Sequence, residues 1–284
     1  MEANQEKEIQ ANLAKIHHRI VVLSGKGGVG KSFIATNLAY GLALQGKTVG
    51  LLDVDIHGPS IAKLTNIEGK PIPIDQKSGK PTPIPVLSNL YVLTLASILD
   101  SESTAVIWRG PMKLALIRQF FSDFEWKELD YLIVDCPPGT GDEPLTVIQT
   151  LNKVDGVVIV TTPQDLAILD VKKTVDFAEK LNVPILGLVE NMKYFRCPHC
   201  GKTTQIFTGN QLVDLIFEYS LDILAELEID PDISKSADEG KPYIYFYNKK
   251  DSANALMNAV LKIMEKVEGN NNPDKRDKAF DNYA

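Results

Sequence analysis

Two lysines stand close together in the stretch "LSGKGGVGKSFIA", Leu23 to Ala35. Gly25 to Ser32 fits the pattern G-x-x-x-x-G-K-[ST], between an apolar run and a helical pattern, which is the context a phosphate-binding loop needs. In such a loop the backbone N–H groups of Gly25, Lys26, Gly27, Gly28, Val29 and Gly30 can wrap phosphate oxygens, and the following helix adds a favourable dipole. Lys31 would reach the β- and γ-phosphates and Ser32 would hold Mg²⁺. Lys26 exceeds what the motif requires. On residue type alone it reads as a solvated surface lysine. The other reading is a cation that reaches a nucleotide in a facing subunit and stabilises developing phosphate charge.

Acidic groups follow at the ends of apolar runs. "LLDVDIHGPS" supplies Asp53 and Asp55, either of which can orient an attacking water or support Mg²⁺ through water. Asp53 is expected to brace the phosphate loop or the magnesium shell, and a simple strand-end cap is the plainer reading of both. Asp135 ends "YLIVD" in the manner of a Walker-B acid that supports Mg²⁺. "PPGTGD", Pro137 to Asp142, then has stiffening prolines and permissive glycines, as a loop that senses a γ-phosphate would. Asn191, in "LVENM", can both donate to and accept from an adenine edge, or can cap a helix.

The three cysteines are Cys136, Cys197 and Cys200. Cys197-Pro-His-Cys200 lets two thiolates reach one metal or cluster, whereas a [4Fe–4S] cluster or a tetrahedral zinc wants four ligands. The simplest completion is a twofold dimer that brings in the same pair from a second chain. Zinc, a cluster and a dithiol redox pair all remain open on these residues, with zinc the simplest. Cys136 sits beside Asp135 and belongs with the nucleotide side.

Positioning these groups requires a particular scaffold. Continuous apolar runs begin at Arg19, Thr48, Asp130, Asp155 and Val183, and helical patterns such as Asp165 to Leu181 lie between most of them. That alternation predicts an α/β fold of three layers, a mostly parallel sheet with helices on both faces. Ligands in such sheets sit at the carboxyl ends of the strands, where every group named above falls. Residues 1–18 read as an N-terminal extension, 19–267 as one ATPase domain, and 268–284 as a mobile tail. Gly69 to Pro85, rich in proline and glycine, reads as a surface excursion or hairpin. His17 and His18 are expected before the first strand and exposed, and His57 in a turn. Trp108 and Arg109 pack, cap a helix or meet a partner. The 284 residues carry a formal net charge of −7, with 44% hydrophobic and 24% charged residues. This acidic balance argues against a general nucleic-acid binder. The amphipathic helix near Ser252 to Val267 balances its lysines with glutamates, as a helix docked on a sheet does, not one on a membrane. No secretory or membrane-spanning run is visible, so the expected location is cytoplasmic.

"KGGVGKS" resembles the deviant phosphate loop of the family that includes the nitrogenase iron protein, MinD, ParA and the Mrp/ApbC iron–sulfur carriers. "DVDIHGPS", "WRGPMK", "IVDCPPGTGD", "LVENM", "CPHCG" and "DEGKP" follow in the order of the Mrp/ApbC branch, so the resemblance runs from about Arg19 to Tyr245. It implies that Lys26 acts across a nucleotide-sandwich homodimer, that Asp55 activates water, and that Asn191 holds the adenine of ATP. It also implies that Cys197 and Cys200 ligate a bridging [4Fe–4S] cluster, received from a scaffold and passed to apo-proteins with ATP as the switch. A partitioning ATPase of the MinD/ParA kind and an ATPase with structural zinc are the rivals. Two departures stand out. "QIFTGNQLVDL" is poorer in glycine than the family's stretch after the cysteine pair, and the chain lacks the four-cysteine N-terminal extension of eukaryotic relatives.

Overall fold

A computed structural model describes residues 2–55, 58–97, 110–207, 209 and 211–269. His57, Trp108, Arg109 and the tail from residue 270 lie outside the described residues. Ten strands and ten helices are described. The strands are β1 Ile16–Leu23, β2 Val49–Asp53, β3 Ile84–Leu87, β4 Leu90–Thr94, β5 Leu129–Asp135, β6 Gly156–Thr161, β7 Ile185–Glu190, β8 Phe195–Arg196, β9 Thr203–Thr204 and β10 Ile223–Glu226. The helices are α1 Glu2–Leu13, α2 Lys31–Leu44, α3 Ile61–Leu64, α4 Gly110–Ser122, α5 Asp142–Leu151, α6 Asp165–Lys180, α7 Gln211–Glu218, α8 Pro231–Asp238, α9 Tyr243–Phe246 and α10 Asp251–Gly269.

Eight strands form one sheet in the order β10-β7-β6-β1-β5-β2-β4-β3. All its pairings are parallel except β3 on β4. The central strands β2 and β6 are buried at every position, as strands covered on both faces must be. One face carries α2, α9 and α10, packed through Leu38, Tyr243 and Leu256. The other carries α1, α4, α5, α6 and α7, packed through Leu13, Phe120, Val147, Val175 and Leu215. The expected three-layer sheet is what forms.

Three boundaries differ from the sequence expectation. The first strand starts at Ile16, so His17 and His18 lie within it, and His18 is largely covered, with Tyr131 5.0 Å away. The segment before it is a docked helix: Ile9 and Leu13 are buried, and Asn12 Nδ2 donates to the carbonyls of Phe121 and Phe124 at 2.9 Å each. At the other end α10 runs through Glu268, which accepts from the Tyr131 hydroxyl and from Lys47, both at 2.7 Å. The excursion 69–85 closes as a hairpin on the Ile74–Pro81 bridge, with Asp75 accepting from the amides of Lys77 and Ser78.

Candidate functional site

The phosphate loop fills the turn from β1 to α2. Gly30 takes φ +87°, and a Cβ there would stand 2.3 Å from Asn191 Nδ2, so only glycine fits. At the other end, a Cβ on Gly25 would stand 2.4 Å from Asp170 Cβ on α6. No side chain caps α2, which leaves the first amides of that helix facing the cleft for an anion. The cleft, about 330 Å³, is lined by the loop, Ser32, Asp55, Ser60 and Pro138. The switch segment after β5 closes on the loop, where Gly139 N–H donates to the Ser24 carbonyl at 2.8 Å. The Val29 side chain points away into the core, 2% exposed, so this residue offers the cleft backbone alone.

Sheet register gathers the acids. Asp53 of β2 lies beside Asp135 of β5 on one side and Thr94 of β4 on the other. Lys31 projects into this group: its Nζ is 2.5 Å from Asp135 Oδ1 and 3.7 Å from Asp55 Oδ2. Burial alone would lower the Lys31 pKa, but Asp135, Asp55 and Asp53 outweigh it and hold the ammonium above its ordinary value. Burial, with Asp135 near, pushes Asp53 up to about 8. Burial likewise raises Asp135, against the pull of Lys31. Asp53 Oδ1 accepts from the Asp55 amide at 3.0 Å, and Oδ2 accepts from Thr94 Oγ1 at 3.0 Å and from the Ile61 amide at 3.4 Å. It therefore braces the segment after β2. Asp135 Oδ2 is buried without a hydrogen-bond partner. A spare acceptor of this kind beside a phosphate loop fits a Mg²⁺ ion and its water shell.

Lys26 does not turn toward its own cleft's acids. Its Nζ donates to Gln164 Oε1 at 2.5 Å. Gln164 is the N-cap of α6, yet its side chain makes no capping bond to that helix. Asn191 is 4% exposed beneath the loop. Its Nδ2 donates to the Val29 carbonyl at 2.9 Å and its Oδ1 accepts from the Met192 amide at 3.0 Å. Each half of the amide makes one bond within the chain. Sequence reasoning reached neither contact. A glutamine just ahead of a helix is the only trace of the first in the sequence.

The cysteine pair is built quite differently. Cys197 and Cys200 occupy the turn of the β8–β9 hairpin, where Cys197 N–H donates to the Lys202 carbonyl at 3.0 Å and Gly201 N–H donates to the Cys197 carbonyl at 2.9 Å. Cys200 is exposed and Cys197 half-buried, whereas Cys136 is fully buried and its thiol is pushed up by burial. The backbone amides of Cys200 and His199 hold the Cys197 thiol below its ordinary value, which favours the thiolate that binds metal. Arg196 fixes the hairpin from below, 3.1 Å from Glu228 and 3.5 Å from Asp251. Among the described residues no three His, Cys, Asp or Glu side chains converge as a metal site.

Residues 15–267 match a ParA-type family described as the NUBPL iron-transfer P-loop NTPases. An iron–sulfur cluster carrier protein of Methanocaldococcus jannaschii is 43% identical over 267 residues, covering 94% of this chain and 91% of the relative. The cytosolic Fe–S cluster assembly factor NUBP2 of Rattus norvegicus is 40% identical, covering 90% of this chain and 95% of its own. Among solved structures, a nucleotide-binding protein of Archaeoglobus fulgidus in complex with ADP, with cobalt found, superposes with a TM-score of 0.73 at 38% identity, covering 84% of this chain and 93% of that one. The cell-division ATPase MinD of Pyrococcus furiosus superposes with a TM-score of 0.62 at 21% identity, covering 87% and 98%, a likeness of fold.

Proposed function

The chain belongs to the iron-transfer P-loop NTPases of the ParA type, and from that premise we propose that it is an ATP-dependent iron–sulfur cluster carrier. Its cargo is a labile [4Fe–4S] cluster held between two copies of the chain, received from a scaffold and delivered to apo-proteins in the cytoplasm. The observation that carries this reading is the exposed cysteine hairpin, which presents two thiols and no third donor among the described residues. Two ligands per chain are half of what a cluster needs, and a twofold axis supplies the other half.

The chain's residues divide the work. Backbone amides from Gly25 to Gly30 and the start of α2 bind the phosphates of ATP. Lys31 leaves Asp135 to meet the β- and γ-phosphates, and Ser32 and Asp135 would hold Mg²⁺, which when bound supplies positive charge there. Asp55, freed from Lys31, orients the water that attacks the γ-phosphate. Lys26 leaves Gln164 and reaches the γ-phosphate of the partner's nucleotide, which makes hydrolysis depend on two chains. Turnover is slow, as suits a switch. A positioning ATPase would leave the cysteine hairpin without a purpose.

Delivery is the direct test. Reconstituted protein mixed with an iron–sulfur enzyme stripped of its cluster restores that enzyme's activity, faster with ATP than without. No recovery from a protein that holds a full cluster would overturn the carrier role.

A further inference from the structure

Only five residues separate Asn191, beneath the phosphate loop, from Cys197 on the hairpin. That segment is pinned along its length. At its start the Asn191 amide holds the Val29 carbonyl and packs against Gly30 so closely that no Cβ could intervene. Met192 follows in the left-handed region at φ +59°, a conformation that a side chain with a Cβ adopts at a cost, and its amide is held by Asn191 Oδ1. Lys193 then ties the chain to β10: its amide donates to the Leu227 carbonyl at 2.8 Å, and its Nζ lies 3.0 Å from Glu190 and 2.5 Å from Glu226. The Tyr194 carbonyl accepts from the Ile229 amide at 2.7 Å, and Arg196 reaches Glu228.

The loop carbonyl that Asn191 grips belongs to the backbone that must settle around phosphate oxygens. A shift there either carries the amide with it or releases it. Release leaves Met192 without the bond that holds its left-handed turn. We propose that Asn191 and Met192 form a hinge through which occupancy of the phosphate loop reaches the Cys197–Cys200 hairpin within a single chain. Asn191 is its positioning residue. Loop and hairpin are then two ends of one bistable segment, a shorter route than one from the switch loop across the sheet. The inference takes its purpose from the carrier reading, but its test does not need a cluster.

The test uses the full chain, with no metal or cluster on its cysteines, at a concentration where light scattering shows single chains. Alkylation of each cysteine by iodoacetamide is followed by peptide mass spectrometry, with and without saturating ADP and Mg²⁺. Buried Cys136 serves as the slow internal reference. In the native chain ADP changes the rates at Cys197 and Cys200 by about fivefold or more, the low end of ordinary coupling between sites. Met192→Gly, which accepts the turn without strain, brings the ratio to within about twofold of one, and Asn191→Ala does the same in a chain that calorimetry shows to be saturated with ADP. A native ratio of one overturns the hinge, as does a Met192→Gly chain that binds ADP and keeps the native ratio. A chain that reconstitutes no cluster would overturn the carrier reading and leave this result standing.

Discussion

The phosphate loop and the cysteine hairpin sit at opposite extremes of construction. Around the loop, Lys31, Asp53 and Asp135 are each 6% exposed or less, and the Lys31 ammonium finds its acidic partners inside its own chain. At the hairpin two short strands hold two thiols near solvent, fastened below by surface ion pairs. Buried ion pairs are unforgiving of a missing partner, while exposed ones add little. The difference teaches that one site is ready to take its ligand from solution and the other awaits a second surface. Lys26 is the exception on the nucleotide side, since its ammonium is held by Gln164 and not by the acids around Lys31.

That contrast can be broken most sharply at Lys26. Lys26→Ala should lower kcat by about 10³-fold or more, the scale of a cation supplied in trans to a transferring phosphoryl group, while nucleotide still binds. Normal turnover would end the two-chain account of hydrolysis. Lys31→Ala should act on binding and on the fold together. It removes the ammonium facing Asp55 and Asp135, so denaturant unfolding should show a loss of about 3 kcal/mol, and calorimetry a matching collapse in nucleotide affinity. Unchanged stability would mean that those carboxylates are not charged against Lys31.

A quieter test is pH. The folded chain keeps a proton on Asp53 up to about pH 8, whereas the unfolded chain releases it near 3.8. Between those values the folded state binds more protons, so this group's contribution is full below pH 4 and is lost as pH rises through 8. Without nucleotide and with metal chelated, stability should therefore fall from pH 6 to 8.5, and Asp53→Asn should flatten the slope. An identical slope in the variant would contradict the assignment. The smallest effect belongs to Arg196→Ala. Its two ion pairs lie near the surface, so stability should change by less than about 1 kcal/mol. A loss several times larger would show that the hairpin is bound into the core, and the contrast between the two regions would fail.

The sheet and its site were legible wherever the signal is local. Buried parallel strands announce themselves as continuous apolar runs, and the phosphate loop carries its own spacing, so β1, β2, β5, β6 and β7 and the acids at their ends could be read directly. Short strands at or next to the sheet's edges could not. β3, β4 and β10 span four or five residues, and burial of their neighbours, not their own pattern, makes them strands. His18 eluded the reading because strand β1 begins in a polar stretch whose partners, Tyr131 and Asp155, lie more than a hundred residues away. The same distance hid Gln164 beside Lys26 and Val29 beside Asn191, contacts that only the folded sheet creates. Asp53 was visible as an acid at a strand end, but its role required Thr94 from a strand that the sequence did not reveal.

The central claim is that Cys197 and Cys200 are half of a ligand set shared by two copies. Anaerobic reconstitution with iron and sulfide, followed by iron, sulfide and zinc analysis on the native chain and on Cys197→Ser/Cys200→Ser, tests it most directly. The account predicts about four irons and four sulfides for every two chains, lost in the double variant, with nucleotide binding retained. Stoichiometric zinc without retained sulfide would contradict it and leave the hairpin as a structural knuckle on a nucleotide-driven switch.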